Sequence, residues 1–437
     1  VIFILNDNQM SISKRVGGIA SHLAALSVNP MYRQFKRFLK YFCRKAPEGE
    51  KLESLLERFK QTIKRFLLPP NIFEDLGISY WGPFDGHNLQ EMEKIFAMAK
   101  DYGYPLLVHL LTTKGKGFKP AEEDSEKYHG VPPGLSKGIP SRSSHESWSE
   151  ASAACIEELA DSDPRVVLLT AAMKEGSKLS RFSEKYPDRF FDVGIAEGHL
   201  LTFAAGMAMA GLLPVVSIYS TFLQRAMDQL VHDICMQNLP VILAVDRAGL
   251  VGEDGETHHG VLDLPWSRAI PNLCIMAPRD RVDLKWIYGE ASKVSSPLAI
   301  RVSRSAAPAS ICRDEHSLRQ EWGRAERILE GTGWCLFSYG AMVPLAVSVY
   351  EEAVKRGTEP PSVYDLRFLK PLDIDTVTEA LGSHSLAVVL EDANIEGGIG
   401  EKISTLANRE GITSSVSRLG IPDRFIPHGT VREQWDH

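Results

Sequence analysis

The sequence predicts a multidomain α/β protein built from parallel β-sheets flanked by helices. The chain has 437 residues, and because one domain usually holds about 100–200 residues, we expect two or three domains. Short apolar runs alternate with helical segments along most of the chain. This alternation is typical of parallel sheets that are covered by helices on both faces.

Two polar connectors divide the chain into three blocks. The first connector, residues 131–148, is rich in Pro, Gly and Ser, and the second starts at Ser303. Such compositions are typical of linkers between domains. We therefore predict domains at residues 1–138, 139–308 and 309–437.

The first block opens on the apolar run Val1–Leu5, which predicts a buried strand rather than a signal peptide. A chain that opens on a core strand is expected to have lost what preceded it. A helical region is predicted at 31–66, where eleven Lys and Arg residues accompany four Glu. A membrane-surface helix remains an alternative there, but a solvated amphipathic helix pair is favoured. A further strand is predicted at Pro105–Leu111.

The second and third blocks each contain a series of predicted β-strands separated by helices. In the second block the strands are Val166–Thr170, Phe190–Val193, Val215–Tyr219, Val241–Asp246, Cys274–Pro278 and Leu298–Val302. In the third block they are Cys335–Tyr339, Ser362–Asp365, Leu386–Leu390 and Ser414–Leu419.

Composition narrows the class of protein. The net charge is −7, which does not suggest a nucleic-acid-binding protein. The six cysteines are scattered, without a C-x-x-C spacing, which favours buried thiols in a reducing compartment over disulfides or a zinc site. The apolar runs are too short to span a bilayer. We therefore expect neither a nucleic-acid partner nor a membrane.

Glu197 is the first candidate functional residue. It follows a predicted strand and opens a helix whose Ala and Gly residues permit close backbone packing. The carboxyl ends of parallel strands are where α/β sheets place ligands. The helix dipole favours an ionised carboxylate there, and burial opposes it. The alternative is an ordinary carboxylate of a first helical turn.

Arg225 and the segment 246–260 are the next candidates. Arg225 lies just beyond a strand end, where its planar guanidinium suits a phosphate; a surface pair with Asp228 is the alternative. The segment 246–260 combines glycines, acidic residues and the pair His258 and His259. Adjacent loop histidines rarely bind one metal ion together, so proton transfer or substrate hydrogen bonding is favoured.

Taken together, these strings resemble the 1-deoxy-D-xylulose-5-phosphate synthases, thiamine-diphosphate enzymes related to transketolase. The resemblance covers essentially the whole chain, and the strings occur in the same order. They are NDNQMSIS at 6–13, GPFDGHN at 82–88, TKGKGFKPAE at 113–122, YHGVPP at 128–133, DVGIAEGH at 192–199, IYSTFLQRAMDQ at 218–229, DRAGLVGEDGETHHG at 246–260, DLRFLKPLD at 365–373 and EGGIG at 396–400.

The resemblance implies a thiamine-diphosphate-binding, transketolase-like fold. The implied domain order is pyrophosphate-binding, pyrimidine-binding and transketolase C-terminal-like. It also implies a homodimer that decarboxylates pyruvate and joins the two-carbon unit to D-glyceraldehyde 3-phosphate. The product feeds non-mevalonate isoprenoid synthesis and the synthesis of thiamine and pyridoxal. The implied location is the bacterial cytoplasm or the plastid stroma.

The resemblance also implies a role for individual positions. Glu197 matches the glutamate that hydrogen-bonds the aminopyrimidine ring of the cofactor, and Phe222 matches the aromatic residue stacked on that ring. Asn8 and the backbone carbonyl of Met10 match two Mg²⁺ ligands, and oxygen ligands suit this hard cation. The other matched residues are Lys114 and His129 near the cofactor, Tyr219, Arg225, Arg247 and Arg304 at the acceptor site, and Asp254 and His258, which orient substrate and move protons.

The chain departs from the family pattern at several places. The Gly-Asp-Gly sequence that anchors the metal in the family occurs nowhere in the chain, so we expect weak Mg²⁺ binding by Asn8 and Met10 alone, and an unpaired sheet edge. Gly198 and Gln9 stand where the family usually has Gln and Glu. Ser303 stands in a segment that reads Arg-Tyr-Pro-Arg in the family.

Two main hypotheses follow, and one weaker enzyme reading. The first is an active synthase represented by a part of its chain. The second is a catalytically inactive paralogue that serves dimerisation or regulation. The third is a β-type subunit of a 2-oxo-acid dehydrogenase, which the first-block strings at 6–13 and 113–122 disfavour.

Overall fold

The structure, a computed structural model, describes residues 1–8, 72–123, 125, 128–129, 146–311 and 321–436. The predicted helical region 31–66 and most of the first connector lie outside the described residues. The chain divides into two compact units, Val1–Pro132 and Pro133–His437. No helix within the described ranges is long and apolar enough to cross a membrane.

The first unit contains a parallel three-stranded sheet in the order β1-β3-β2. Helix α2 covers it, because Met92, Ile95 and Ala99 on one helix face pack with apolar side chains of β3. The Asn88 side chain caps α2 by accepting a hydrogen bond from the Glu91 N–H. The elements are β1 (Ile2–Asp7), α1 (Ile72–Asp75), β2 (Ser79–Asp85), α2 (Leu89–Lys100), β3 (Leu106–Leu111) and α3 (Lys119–Glu123).

Strand β1 confirms the strand predicted at Val1–Leu5, but the prediction that it is buried is wrong. Val1, Ile2, Phe3 and Ile4 are 83, 44, 47 and 57% exposed. Among the described residues β1 pairs with β3 alone, so it lies at the edge of its sheet, as expected. An apolar run indicates a buried strand only where other elements cover it, and none of the described elements does so here.

The second unit contains a seven-stranded sheet in the order β13-β8-β9-β7-β6-β4-β5. All its neighbouring strands are parallel except β13, which is antiparallel to β8. The parallel sheet predicted for the second block is therefore confirmed. Its strands are β4 (Val166–Thr170), β5 (Phe190–Asp192), β6 (Leu213–Tyr219), β7 (Ile242–Ala248), β8 (Cys274–Met276), β9 (Leu298–Ser303) and β13 (Phe368–Lys370).

A five-stranded sheet completes this unit, in the order β10-β12-β11-β14-β15. It is parallel apart from the β10–β12 pair. Its strands are β10 (Glu326–Leu329), β11 (Trp334–Ser338), β12 (Ser362–Asp365), β14 (Leu386–Asn394) and β15 (Ser415–Ile421). The strands predicted for the third block are confirmed, whereas β10 and β13 were not predicted.

Helices flank both sheets of the second unit. A capping box between Ser147 and Glu150 starts α4 where the first connector ends. Helix α6 opens at Glu197, as predicted, and buries Ala204, Ala205 and Ala208 against the sheet. The helices are α4 (Trp148–Ser162), α5 (Ser180–Lys185), α6 (Glu197–Met209), α7 (Ser220–Leu223), α8 (Met227–Gln229), α9 (Asp263–Ser267), α10 (Arg281–Ala291), α11 (Val343–Arg356), α12 (Ile374–Ser383), α13 (Ile399–Arg409) and α14 (Val431–Trp435).

Candidate active site

Most of the predicted site residues lie at one edge of the seven-stranded sheet. Strands β4, β6, β7 and β9 are parallel neighbours in the sheet. Their carboxyl ends therefore meet at the same edge. Tyr219 ends β6, Arg247 lies near the end of β7, and Arg304 directly follows β9.

Two arginines converge there on one carboxylate. Arg247 forms a salt bridge with Asp254, and the Arg304 guanidinium lies 3.3 Å from the Asp254 carboxylate. The Arg247 guanidinium also lies over the Tyr219 ring, 4.1 Å from its centroid. Two positive side chains thus share one half-buried carboxylate, and the exposed Glu253 lies 3.6 Å from Arg304. Such a site can accept an additional anion.

Tyr219 is held as a neutral hydroxyl at this site. Burial raises the pKa of Tyr219 to about 12, although the Arg247 charge opposes the shift. The chain passes so close that a Cβ on Gly176 would lie 1.7 Å from the Tyr219 hydroxyl oxygen. Only glycine fits at position 176, and the tyrosine can act as a hydrogen-bond donor near neutral pH.

Aromatic rings form the neighbouring part of the site. The Phe222 ring stacks with Tyr219 at 5.8 Å and meets the His258 ring edge-on at 5.3 Å between centroids. The Nδ1 of His258 lies 2.9 Å from the Thr257 hydroxyl. The Phe222 and His258 rings are therefore brought together beside Tyr219.

Glu197 lies at the start of α6 and is only 3% exposed. Its carboxylate Oε2 is 3.4 Å from the Nε of Arg225. Arg225 lies in the 3₁₀ turn Gln224–Ala226, between α7 and α8. The structure thus pairs Arg225 with Glu197, and not with Asp228 as in the surface alternative.

Local contacts account for three other polar residues. Asp228 contacts His232, with Nδ1 2.9 Å from the aspartate carboxylate. His87 accepts a 2.8 Å hydrogen bond from the Thr113 N–H. These bonds give His87 and His232 local structural partners. Gln229 lies against Gly198, because a Cβ on Gly198 would be 3.3 Å from its Oε1.

A buried network of ion pairs around Arg301 was not predicted from the sequence. Arg301 donates to Asp263 at 2.7 Å, to Asp392 at 2.5 Å and to the Gly260 carbonyl at 3.2 Å. All three charged side chains are buried. Arg301 stands in the segment noted for its departure from the family pattern, but its partners lie 38 and 91 residues away in sequence. No local pattern reveals such pairs.

In the first unit, Lys114 and His129 lie near one another. The Lys114 Nζ is shielded from solvent and has no hydrogen-bond partner among the described residues. Partial burial, and to a lesser extent the Lys114 charge, lower the pKa of His129. A buried ammonium group without a partner is costly, so it is suited to an anionic ligand.

The Asn-Asp-Asn segment, which the end of β1 contributes in part, points its acidic residue inward. Asp7 is buried, and its Oδ2 lies 3.0 Å from the Nε2 of His109, whose Nδ1 lies 2.6 Å from the Tyr80 hydroxyl. Asn8 directly follows β1 and is half-buried. Met10 lies outside the described residues. No group of three or more His, Cys, Asp or Glu side chains in the described part of the chain could hold a metal ion.

Comparison with known families matches three segments of the chain. The model described as 1-deoxy-D-xylulose-5-phosphate synthase matches residues 1–112. The transketolase pyrimidine-binding domain matches residues 145–309, and the transketolase C-terminal domain matches residues 323–437. A solved structure titled "Split gene transketolase, inactive beta4 tetramer" is 28% identical with a TM-score of 0.58, over 64% of this chain and 91% of that one.

Curated relatives match nearly the whole chain. The 1-deoxy-D-xylulose-5-phosphate synthase of Carboxydothermus hydrogenoformans is 42% identical over 99% of this chain and 70% of its own length. The synthase of Clostridium tetani is 41% identical over 98% and 69%, and that of Aquifex aeolicus 42% over 98% and 68%.

The parallel-dominated sheets and the matched domains define a transketolase-like protein, a class of thiamine-diphosphate-dependent transferases. Within this class, the chain belongs to the 1-deoxy-D-xylulose-5-phosphate synthase family.

Proposed function

We propose that the protein joins the two-carbon unit of decarboxylated pyruvate to D-glyceraldehyde 3-phosphate, giving 1-deoxy-D-xylulose 5-phosphate. This would be the first step of non-mevalonate isoprenoid synthesis and a source of thiamine and pyridoxal precursors. The observation that carries the proposal is the convergence of Arg247 and Arg304 on Asp254, over Tyr219. It provides a cationic site for a phosphate beside a titratable histidine.

Thiamine diphosphate is the cofactor that these residues would suit. The nearly enclosed carboxylate of Glu197 and the ring face of Phe222 fit an aminopyrimidine ring. The buried Lys114 ammonium, which has no hydrogen-bond partner among the residues that the structure describes, fits a diphosphate, with His129 nearby. When bound, the cofactor supplies an electron sink for decarboxylation. We assign Glu197 to hold the pyrimidine, and thereby to direct proton removal at the thiazolium carbon.

The Asn8 side chain and the Met10 backbone carbonyl would hold a Mg²⁺ ion, which would supply positive charge to the diphosphate. Oxygen ligands of this kind suit Mg²⁺, which usually keeps waters and substrate phosphates in its shell. With two protein ligands of no charge, we expect binding to depend strongly on the diphosphate.

The remaining site residues divide between substrate binding and proton transfer. We assign Arg225, Arg247 and Arg304 to the phosphate of the aldehyde, since guanidinium groups bind phosphates through paired hydrogen bonds. Tyr219 would donate a hydrogen bond to the same substrate. We further assign Asp254 and His258 to orient the substrate and to carry protons.

The same proposal extends to the organisation of the protein. We propose a homodimer in the bacterial cytoplasm or the plastid stroma, and domains at 1–138, 139–308 and 309–437. The family matches described above support three domains by their number and order.

The test is direct synthesis by the purified chain. With thiamine diphosphate, Mg²⁺, pyruvate and D-glyceraldehyde 3-phosphate present, we expect 1-deoxy-D-xylulose 5-phosphate and CO₂ in equal amounts. Product should be absent without either substrate. Absence of both product and thiamine diphosphate binding in the wild-type chain would overturn the proposal in favour of an inactive, dimerising paralogue.

A further inference from the structure

Asp254 and His258 lie on the loop 249–260, and backbone hydrogen bonds join the two ends of this loop. Gly249 and Gly260 exchange two hydrogen bonds of 2.9 and 2.8 Å. Within the loop, short turns link Gly255 to Gly252 and His258 to Gly255, both at 3.0 Å. These local bonds fix the curvature of the loop and engage the Gly252 carbonyl, but they leave the Gly252 N–H, two residues before Asp254, to be bound from elsewhere.

One side chain at the end of the chain binds both polar groups of Gly252. The Gln434 carboxamide accepts a 3.0 Å hydrogen bond from the Gly252 N–H and donates a 3.0 Å bond to the Gly252 carbonyl. A third bond of 3.1 Å, to the Pro427 carbonyl, holds the carboxamide itself in place. Gln434 is only 2% exposed, so water cannot readily replace these bonds.

Further contacts join the same two segments. His259 Nε2 donates to the Ile426 carbonyl at 3.1 Å, and its Nδ1 accepts from the Val251 N–H at 3.2 Å. Leu250 packs in an apolar cluster with Ile421 and Ile426. Residues 421–434 therefore hold one side of the loop by hydrogen bonds and apolar packing. Asp254, on the same loop, contacts Arg247 and Arg304.

We propose that Gln434 is a positioning residue that sets the conformation of loop 249–260, and through Asp254 sets the spacing of the two arginines for a phosphate. The part about phosphate rests on the proposed function; the part about the loop does not. The carboxamide binds the N–H and the C=O of one residue through an acceptor and a donor together, a pairing that no apolar side chain of similar size supplies.

The experiment compares Gln434→Met with Arg432→Met in the purified chain. Methionine keeps the volume of glutamine but offers no N–H donor, and Arg432 is an exposed residue of the same short helix. Amide hydrogen exchange is read by mass spectrometry. We expect exchange in the peptide 249–260 to be about tenfold faster in Gln434→Met, with strand β4 unchanged, and no change in Arg432→Met.

A second variant tests the role of Gln434 even if Gln434→Met does not fold. Thr430→Val removes the capping box that starts α14, and should release Gln434 partly, giving a smaller increase in the same peptide. In the synthase assay, we expect Gln434→Met to raise the KM for D-glyceraldehyde 3-phosphate about fivefold, with kcat and the KM for pyruvate within about twofold.

The outcomes separate the two proposals. The role of Gln434 would be overturned if peptide 249–260 exchanged at the wild-type rate in both Gln434→Met and Thr430→Val. An equal increase of exchange in every peptide would also overturn it. If wild-type chain shows no protection of this peptide by inorganic phosphate and no synthase activity, the proposed function fails, and the exchange data still decide the role of Gln434. A KM for pyruvate that rises as much as that for the aldehyde would remove the phosphate part.

Discussion

At the scale of single residues, Glu197 has the environment that most constrains chemistry. It is a nearly enclosed carboxylate at a helix start, with one cation, Arg225, at 3.4 Å. A carboxylate so placed is held in a defined direction by its cation. Its effect on a bound ring therefore depends on the charge of this one side chain.

Glu197→Gln should slow proton exchange at C2 of bound thiamine diphosphate by about a hundredfold or more, because a positioned acid–base group typically contributes 10²–10⁴-fold. Binding of the diphosphate should persist, since Glu197 lies apart from phosphate-binding groups in this proposal. The measurement is deuterium exchange at C2 followed by NMR. Asp228→Asn, an exposed carboxylate on the following segment, is the control. Unchanged exchange in Glu197→Gln would remove the residue from this role.

Arg225→Ala should raise the KM for D-glyceraldehyde 3-phosphate about tenfold and change that for pyruvate by less than about twofold, because a charge-assisted hydrogen bond to phosphate contributes about 1.5–3 kcal/mol. Steady-state kinetics with each substrate varied in turn gives both constants. The exposed Arg356 provides the control Arg356→Ala. Equal effects on the two substrates would mean that Arg225 acts only through Glu197.

At the scale of elements, the loop 249–260 has a pH-sensitive support in His259. Its Nδ1 accepts a hydrogen bond and its Nε2 donates one, which requires the neutral imidazole. Burial is the main cause that lowers the pKa of His259, and His258 lowers it further; the Ile426 carbonyl, Glu256 and Asp254 act in the opposite direction. The folded loop therefore disfavours protonation.

The protection of the loop should decrease in acid. Because the folded pKa of His259 lies below the ordinary value of about 6.5, its contribution to stability is complete above that pH and is lost as the pH falls through the folded pKa. Hydrogen exchange of peptide 249–260, corrected for the intrinsic pH effect, should accelerate on acidification. In His259→Gln, which can make both bonds without titrating, it should not. A parallel acceleration in both proteins would contradict this account.

Regular elements could be predicted from the sequence, and the contacts of the loop could not. Short apolar runs between helices identified the strands of the second block, because a parallel strand buried on both faces must be apolar throughout. Glu197 and Arg247 could be placed near strand ends for the same reason. The partners of Gly252 and Arg301 could not, since Gln434 is 182 residues from Gly252 and Asp392 is 91 from Arg301. Only the folded chain brings these residues together.

At the scale of the whole second unit, a buried ion cluster joins the two sheets. Arg279, after β8, contacts Glu326 of β10 at 2.7 Å and Asp365 of β12 at 3.0 Å. Arg367 contacts Asp283 of α10 at 2.8 Å and Glu326 at 2.8 Å. Burial raises the pKa of Asp283 to about 7, although Arg367 opposes the shift. The cluster thus depends on its two guanidinium groups.

Arg279→Met should destabilise the protein by about 3–5 kcal/mol, because removal of one partner leaves buried carboxylates uncompensated. The loss should be smaller at lower pH, since carboxyls whose folded pKa is raised recover stability as they become protonated. Urea unfolding at two pH values measures both effects. Arg356→Met removes an exposed pair with Glu352 and should cost about 0–1 kcal/mol. Similar losses in the two variants would show that the cluster is not a structural joint.

The order of the seven-stranded sheet has a consequence for synthesis of the chain on the ribosome. Strand β13, residues Phe368–Lys370, pairs with β8 about ninety residues earlier. Until that segment emerges, the outer edge of β8 has no partner and is open to other chains. Gln434 emerges later still. The nascent protein therefore completes its large sheet late, and the loop 249–260 gains its bonds to Gln434 only after every strand of that sheet has emerged.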